Sequence, residues 1–445
     1  MLEDGQTSII NRFHPSLKDK IGGYRFINNN RISLRMLTES LQDQCARNCE
    51  GLDLICLQDT TEYNYQHHSK RLQEDTLGLV GNDEDQGFFA HVMLGFEAES
   101  CLPSGVPYVR LWSRDPNKKS REERRYKRLP IEEKESYRWI EAAEETKSLL
   151  RLAKHITFIS DRESDIYQIW SRVPDGKTDL IIRARVDRVL YDKPTTVFKL
   201  LEEQETMGSY MIEIKQDKRK GRSKRKAILN VKYSEIKIKK PYSVTGNNDS
   251  DKDYVSMYVV EAKEDLSTIR NGESLIHWIL FTTHKISDFV QARQIIKWYS
   301  FRWQIEQFFR ITKKQGIDLE SSQLETGEGL KKLALLGFAI ALKILQLSLA
   351  KDGIQNDKVI RYFSKDQIIV LGLLNEQLEG KTQKQQNPFH SDTLSWASWI
   401  IARLGGYSGY KSQSSPGPIT FKWGLDRFNY LTTGFYLAQK DVYKE

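Results

Sequence analysis

The stretch Trp298–Lys313 (WYSFRWQIEQFFRITK) decides how the rest of the chain is interpreted. Its spacing predicts one helix, in which each residue is rotated by roughly 100° from the last. A narrow stripe of that helix carries a phenol, a guanidinium, a carboxylate and an ammonium, which belong to Tyr299, Arg302, Glu306 and Lys313. The opposite side, which we expect to face the core, carries Phe301, Ile305 and Phe308. A solvated face with pairs three or four residues apart is the plain alternative.

The composition is typical of a basic globular protein. It has 445 residues, a net charge of +8 and a pI near 9.0, which favours a polyanionic partner only weakly. The cysteines form no Cys-x-x-Cys pair, so we predict reduced thiols in a cytosol-like compartment. The first residues lack the pattern of a signal peptide. The most apolar run, Leu333–Leu342, is too short to span a bilayer, so we expect a buried helix and no membrane association.

Two aspartates follow apolar runs of strand length. Leu54–Gln58 ends at Asp59, and His155–Ser160 ends at Asp161. Such an acid is expected at the edge of a sheet rather than in its core, although an aspartate after a strand is often only a turn or N-cap residue. Two nearby acids are alternatives to Asp161, namely Glu163 and Asp165.

The order of elements indicates an α/β fold. Three strands, a helix, a strand and a late helix are typical of a ribonuclease-H-like core, in which the two strand ends and the late helix converge. Short β-branched runs between residues 177 and 286 indicate a β-rich insertion. The predicted regions are a partial N-terminal helical region (1–50), the first part of the core (51–176), the insertion (177–286), the second part of the core with the Glu306 helix (287–350) and a helical C-terminal dimerisation region (351–445).

Two basic runs interrupt this order. Arg114–Arg128 is predicted to be an exposed loop. In Lys215–Lys226 eight of twelve residues are basic, so a phosphate-binding segment and a solvated hairpin tip are both open interpretations.

Three carboxylates, from Asp59, Asp161 and Glu306, suit divalent-cation chemistry. Mg²⁺ favours a few carboxylates together with water and phosphate. Two such ions roughly 4 Å apart would activate a water or a 3′-hydroxyl and stabilise the leaving oxygen of an in-line displacement. Without cations the clustered acids would repel one another, so the arrangement requires metal or proton uptake.

These residues resemble a known family, the DDE transposases of insertion-sequence family four. The spacing of Tyr299, Arg302, Glu306 and Lys313 is similar to the Tyr-Arg-Glu-Lys (YREK) signature of that group. Asp59-Thr60-Thr61 resembles its first aspartate motif, and the segment from Asp161 to Tyr167 resembles its second.

The resemblance implies a role for each site residue. Asp59, Asp161 and Glu306 would be catalytic and would hold two Mg²⁺ ions, for which Mn²⁺ would substitute. Tyr299, Arg302 and Lys313 would hold phosphates of the DNA near the bond that is cut. Trp278 would stack on a flipped base, although a tryptophan packed in the core of a strand is the alternative. Two further DNA contacts are implied, at Arg183 and Arg185.

The resemblance further implies cut-and-paste transposition, with strand cleavage, hairpin formation and strand transfer. The partners would be double-stranded DNA, as transposon ends and target, and a second copy of the chain in a homodimeric synaptic complex. The compartment would be the bacterial cytoplasm, with the protein on the nucleoid when bound to DNA. Only 58 residues precede Asp59, where family members usually carry an end-recognition domain. An N-terminally truncated relative that binds DNA or dimerises, and so inhibits a full-length enzyme, is therefore an alternative. A ribonuclease-H-like nuclease or resolvase without strand transfer is another.

Overall fold

The protein has the mixed α/β architecture that the sequence predicts. The computed structural model describes residues 17–72, 77–116, 129–214, 223–242, 252–270, 272–410 and 413–442. The chain divides into two compact units. The sheet unit comprises Gly51–Asp59 and Lys119–Gln304. The helix-rich unit comprises Met1–Glu50, Thr60–Lys118 and Ile305–Glu445.

The strands and helices of the described residues are as follows. The strands are β1 (Asp53–Asn64), β2 (Gly78–Val80), β3 (Asp85–Glu97), β4 (Pro103–Trp112), β5 (His155–Ser160), β6 (Thr178–Arg183), β7 (Gly208–Ile214), β8 (Arg225–Lys239), β9 (Tyr254–Glu264) and β10 (His277–Thr282). The helices are α1 (Leu17–Ile27), α2 (Leu34–Cys49), α3 (Arg138–Leu149), α4 (Tyr167–Arg172), α5 (Val197–Glu203), α6 (Phe289–Phe301), α7 (Trp303–Lys313), α8 (Gly327–Ala350), α9 (Lys365–Leu378), α10 (Leu394–Leu404) and α11 (Pro418–Val442).

The sheet unit is built on parallel strands that continue into antiparallel ones. β1 runs parallel to β5, and β5 runs parallel to β6. β10 then pairs antiparallel with β6, and β9, β8 and β7 follow in antiparallel order. The short β-branched runs between residues 177 and 286 are thus strands of the same sheet as the two strands that lead to Asp59 and Asp161.

The strand that leads to Asp59 is longer than the sequence indicated. The prediction that it ends at Asp59 is wrong, because β1 continues to Asn64. Its parallel pairing with β5 does stop earlier, with Leu57 opposite Ile159. The residues after Asp59 belong to the helix-rich unit, where Tyr63 is buried against Phe88 with ring centroids 5.2 Å apart. This aromatic packing extends the strand past the acid.

Residues Trp298–Lys313 form two helices, so the prediction of a single helix is wrong. α6 ends at Phe301 and α7 begins at Trp303. The Arg302 N–H donates to Tyr299 O, three residues back, at 3.0 Å, while its backbone stays right-handed (φ −49°, ψ −31°). Because the four-residue hydrogen-bond pattern is broken there, angles around one common axis do not apply. The proposed polar stripe also fails at its first member, because Tyr299 is buried.

The helix-rich unit has α8 as its central apolar element. The run Leu333–Leu342 lies in a helix of 24 residues, so the statement that the apolar segment is too short to span a bilayer is wrong. By length and composition α8 could cross a membrane, but 67% of its most apolar window is buried inside the protein, as expected of a core helix. Burial lowers the pKa of Lys343 in α8 to about 8, and its ammonium lies 4.2 Å from the ring centre of Phe363.

Other predictions concern the cysteines and the basic runs. All four cysteines are buried and free, and the predicted reducing compartment stays a prediction. Most of each basic run lies outside the described residues, which omit 117–128 and 215–222.

Packing of α2 on β4 gives a stability prediction. Gly95 and Gly105 are paired across β3 and β4, near Cys45 of α2. A Cβ at Gly105 would lie 2.5 Å from the Cβ of Cys45 and 2.7 Å from its Cα. A Cβ at Gly95 would lie 3.7 Å from the Cys45 Sγ, an ordinary contact. We expect Gly105→Ala to lower the free energy of unfolding by about 1–3 kcal/mol through overpacking, and Gly95→Ala to change it much less. Urea unfolding of both variants measures this, and equal losses would contradict it.

Candidate active site

The centre of the candidate site is a pair of aspartates on neighbouring parallel strands. Asp59 and Asp161 each follow the last paired residues, Leu57 and Ile159, by two positions. Parallel strands lie roughly 4.8 Å apart, and residues two positions apart point to the same face. The two carboxylates are therefore carried side by side at the carboxyl end of the β1–β5 pairing.

Asp161 also caps a short helical turn. It retains an extended backbone (φ −91°, ψ −165°), and its Oδ1 accepts the N–H of Glu163 at 2.9 Å. This hydrogen bond fixes the orientation of the carboxylate and still leaves its second oxygen for another ligand. Capping and metal binding are thus compatible at this residue.

Arg302 supplies the countercharge of Asp59. Its Nη1 donates to Asp59 Oδ2 at 3.1 Å, and both side chains are largely shielded from solvent. The connection between α6 and α7 is the position from which this guanidinium reaches the strand. An opposite charge at this distance favours the ionised carboxylate, which a cation ligand must be.

Three more of the predicted residues are linked to this pair through Tyr299, which lies near Asp161 and Arg302. Burial raises the pKa of Tyr299, nearby Asp161 raises it further, and Arg302 and Arg183 oppose the rise. The phenol is therefore protonated at neutral pH and available as a hydrogen-bond donor. Arg183 hydrogen-bonds to Tyr299 and donates to His277 O at 3.1 Å. The half-buried Trp278 packs edge-on against Tyr299, with ring centroids 5.4 Å apart.

Among the residues that the structure describes, no side-chain contact of this kind is seen for Arg185. It is exposed, and its backbone N–H donates to Asp165 Oδ2 at 2.7 Å. Its suggested contact with DNA stays a prediction.

The two alternatives to Asp161 have other partners. Asp165 is buried, accepts the N–H groups of Arg185 and Val186, and forms an ion pair with Arg188 at 2.6 Å. Glu163 is mostly exposed and pairs with Arg138 at 2.8 Å. Asp165 therefore holds the segment after β6 in place, which leaves Asp161 as the acid beside Asp59.

The remaining predicted residues belong to the helix-rich unit. Glu306 lies half-buried in the first turn of α7. At the other end of that helix, the Lys313 ammonium lies 3.8 Å from a carboxylate oxygen of Glu320 and 5.5 Å from the ring centre of Tyr63. The roles suggested for Glu306 and Lys313 stay predictions.

The sheet unit contains a second group of possible metal ligands, which was not predicted from the sequence. His155, Asp179 and His284 place their ligand atoms within 4.8 Å of one another. The available signal was weak, since the three are far apart in the chain. The parallel pairing of β5 with β6, which brings His155 near Asp179, is seen only in the structure.

The paired acids fit a divalent cation by their chemistry. Carboxylate oxygens are the ligands that Mg²⁺ and Mn²⁺ prefer. The two aspartates of this site offer such oxygens from a rigid sheet, and Arg302 shows that the carboxylate of Asp59 takes a positive partner.

Comparison with known proteins gives a family match and a distant structural one. Residues 116–343, just over half of the chain, match the sequence family described as a transposase DDE domain. The matched segment contains Asp161 and Glu306 and begins after Asp59. A cryo-EM structure of the piggyBac transposase synaptic complex with hairpin DNA is similar at 7% identity and a TM-score of 0.33. The similarity covers 69% of this chain and 54% of that one, so the chain spans about half the length of this relative.

Because Asp165 and Glu163 have different surroundings, we predict that their replacement by alanine has different effects on the free energy of unfolding. Asp165→Ala removes the ion-pair partner of Arg188, whose side chain is largely shielded from solvent, and the acceptor of two backbone N–H groups. We expect a loss of about 3–5 kcal/mol in the free energy of unfolding. Glu163→Ala removes an ion pair whose carboxylate is mostly exposed, and it should cost less than about 1 kcal/mol. Denaturant unfolding of the two variants tests this, and a loss for Asp165→Ala no larger than for Glu163→Ala would refute the structural role.

Proposed function

Because the chain belongs to the family of transposase DDE domains, we propose that it is a DNA transposase that moves an insertion sequence by cut-and-paste transposition. The observation that carries the proposal is the pair Asp59 and Asp161 at adjacent strand ends, with Arg302 bound to the first of them. Two fixed acids beside a guanidinium suit the transfer of phosphoryl groups, which requires both cation binding and recognition of phosphate.

The proposed metal ligands are Asp59, Asp161 and Glu306, the acids that the resemblance to the family motif implies. Two Mg²⁺ ions, when bound, would supply the Lewis acidity for activating a water or 3′-hydroxyl and for stabilising the leaving oxygen. The chain's own contribution is to hold the carboxylates. Asp59 and Asp161 are fixed by the sheet and by their hydrogen bonds, so little conformational entropy is lost when a cation binds.

The proposed DNA-holding residues of the sheet unit are Arg302, Tyr299 and Arg183. Arginine matches the geometry of phosphate oxygens with two parallel N–H donors. The protonated Tyr299 adds a neutral donor between the two guanidinium groups. The proposed set is completed by Lys313, Arg185 and Trp278. Trp278 would serve as a stacking platform for an unstacked base.

The proposed reaction is a series of in-line phosphoryl transfers. Water first cleaves one strand at the transposon end and releases a 3′-hydroxyl. That hydroxyl attacks the opposite strand, which forms a hairpin on the transposon end. A second water opens the hairpin, and the 3′-hydroxyl finally joins the target DNA. We propose that two copies of the chain, in the bacterial cytoplasm, hold the two ends in one synaptic complex.

Cleavage by purified protein tests the proposal. The substrate is a duplex that carries the inverted repeats flanking the gene, incubated with Mn²⁺ or Mg²⁺. We expect nicks and hairpins from the parent chain. Glu306→Gln should bind the duplex within about threefold of the parent, because one amide replaces one carboxylate outside the DNA-holding set, yet lose cleavage by about 10²-fold or more. The matched control is Glu376→Gln on the exposed side of α9, which should cut normally.

The outcomes separate the candidate functions. Cleavage by Glu306→Gln at the rate of the parent would overturn the assignment of Glu306. Nicking without hairpins or strand transfer would favour a nuclease or resolvase. Binding without cleavage by the parent, together with inhibition of a full-length transposase, would favour the inhibitory relative.

Trp278 gives a prediction specific to the hairpin step. Base stacking on an aromatic side chain contributes about 1–3 kcal/mol, so we expect Trp278→Ala to slow hairpin formation by about tenfold or more while nicking changes less. Trp278→Phe keeps an aromatic face against Tyr299 and should retain most hairpin formation. Gel assays that resolve nicked from hairpin products measure both steps, and equal losses at both would make Trp278 a packing residue for Tyr299.

A further inference from the structure

The amino-terminal end of the β5–β6 pairing carries a group of nitrogen and oxygen ligands. His155 begins β5, Asp179 is the second residue of β6, and His284 follows β10 closely. The Nε2 of His155 lies 3.0 Å from Asp179 Oδ2, and the Nδ1 of His284 lies 3.3 Å from the same oxygen. These three atoms lie within 4.8 Å of one another.

We propose that His155, Asp179 and His284 form a binding site for a Zn²⁺-class transition-metal ion, separate from the carboxylate pair. Two imidazoles and one carboxylate are a common set of protein ligands for Zn²⁺, which is bound at about 2.0–2.2 Å. A tetrahedral ion with such bonds separates neighbouring ligand atoms by roughly 3.3–3.5 Å. The two distances to Asp179 Oδ2 are close to that spacing, and water completes the fourth position.

The atoms around the ligands are arranged as metal sites require. The Nε2 of His284 lies 2.9 Å from Thr157 Oγ1, which leaves its Nδ1 directed at the ion. Thr283 Oγ1 donates to Asp179 Oδ1 at 2.7 Å, which leaves Oδ2 for the ion. Such outer contacts fix the tautomer of a histidine and the orientation of a carboxylate.

The third ligand atom lacks the hydrogen bond that a buried polar atom requires. His155 Nε2 is buried and makes no hydrogen bond of suitable geometry within the described residues, although Asp179 Oδ2 is 3.0 Å away. A buried polar atom without a hydrogen bond is costly. An ion held by all three residues would satisfy it.

The site is distinct from the aspartate pair in place and in chemistry. Asp161 follows His155 by six residues along β5, which corresponds to roughly 20 Å of extended chain. Nitrogen ligands select Zn²⁺ over Mg²⁺, whereas an all-oxygen set does not. The inference therefore does not depend on the proposed transposase activity.

An ion here would connect three parts of the sheet unit. It would join β5, β6 and the segment that leads into α6. The ring of Trp298, on α6, packs on His284 with centroids 5.3 Å apart, and the next residue is Tyr299. We therefore assign the ion a structural role in fixing the helix that supports the Tyr299 side of the candidate active site.

Metal binding by the full chain tests the proposal. Protein stripped with a chelator is titrated with Zn²⁺ in excess Mg²⁺, and Co²⁺ serves as a spectroscopic probe of tetrahedral coordination. We expect one Zn²⁺ per chain and a higher melting temperature with Zn²⁺. His284→Ala should weaken binding by more than about 100-fold, and Thr157→Val, which removes only the outer contact, by about 10–100-fold.

Two controls make the test decisive. His390→Ala removes an exposed histidine that pairs with Asp392 and should leave Zn²⁺ affinity unchanged. Asp59→Asn should also bind Zn²⁺ normally, because it lies outside the group. Unchanged affinity in both His284→Ala and Thr157→Val, or an equal loss in His390→Ala, would overturn the proposal. If His284→Ala does not fold, as judged by circular dichroism, the Thr157→Val result decides.

Discussion

The parallel pairing of β1 with β5 is the constraint on which the candidate site depends. It aligns Leu57 with Ile159, and this register places Asp59 and Asp161 side by side. A shift of one residue in either strand would turn one acid to the opposite face of the sheet. The buried apolar residues of both strands prevent such a shift, because they would lose their place in the core. The hydrophobic core thus fixes the geometry of a polar site.

Two neighbouring carboxylates repel each other unless positive charge lies nearby. The sheet unit provides this charge from the end of α6 and from β6. Arg302 pairs with Asp59, and Arg183 reaches Tyr299 beside Asp161. Arg302 was predicted to hold DNA phosphate, and in this structure it balances a carboxylate. Both roles follow from one property, because a guanidinium binds carboxylate and phosphate oxygens with the same donor geometry.

Strand β5 carries different chemistry at its two ends. Its carboxyl end leads to the aspartates, which offer oxygen ligands for hard cations. Its amino end begins with His155, which meets Asp179 and His284 and offers nitrogen ligands. The separation of these groups along the strand would keep the proposed catalytic metal and the proposed structural metal apart, since each set of ligands selects a different class of ion.

The sequence by itself determined the mixed α/β class, some of the elements and the types of residue at the candidate site. An apolar run of strand length located β5 to the residue. The spacing of Tyr299, Arg302, Glu306 and Lys313 indicated the family that the comparison then showed at the coarser level of a transposase DDE domain. Both kinds of signal are local, so they can be read without knowledge of long-range contacts.

Only the tertiary structure decided how these residues are used. The break of the predicted helix at Arg302, the extension of β1 beyond Asp59 and the burial of Asp165 against Arg188 all depend on partners distant in the chain. The group formed by His155, Asp179 and His284 likewise exists only because two strands and the segment after β10 bring it together. Sequence periodicity reports which residues are buried, whereas the choice of partner is set by the register and packing of the folded chain.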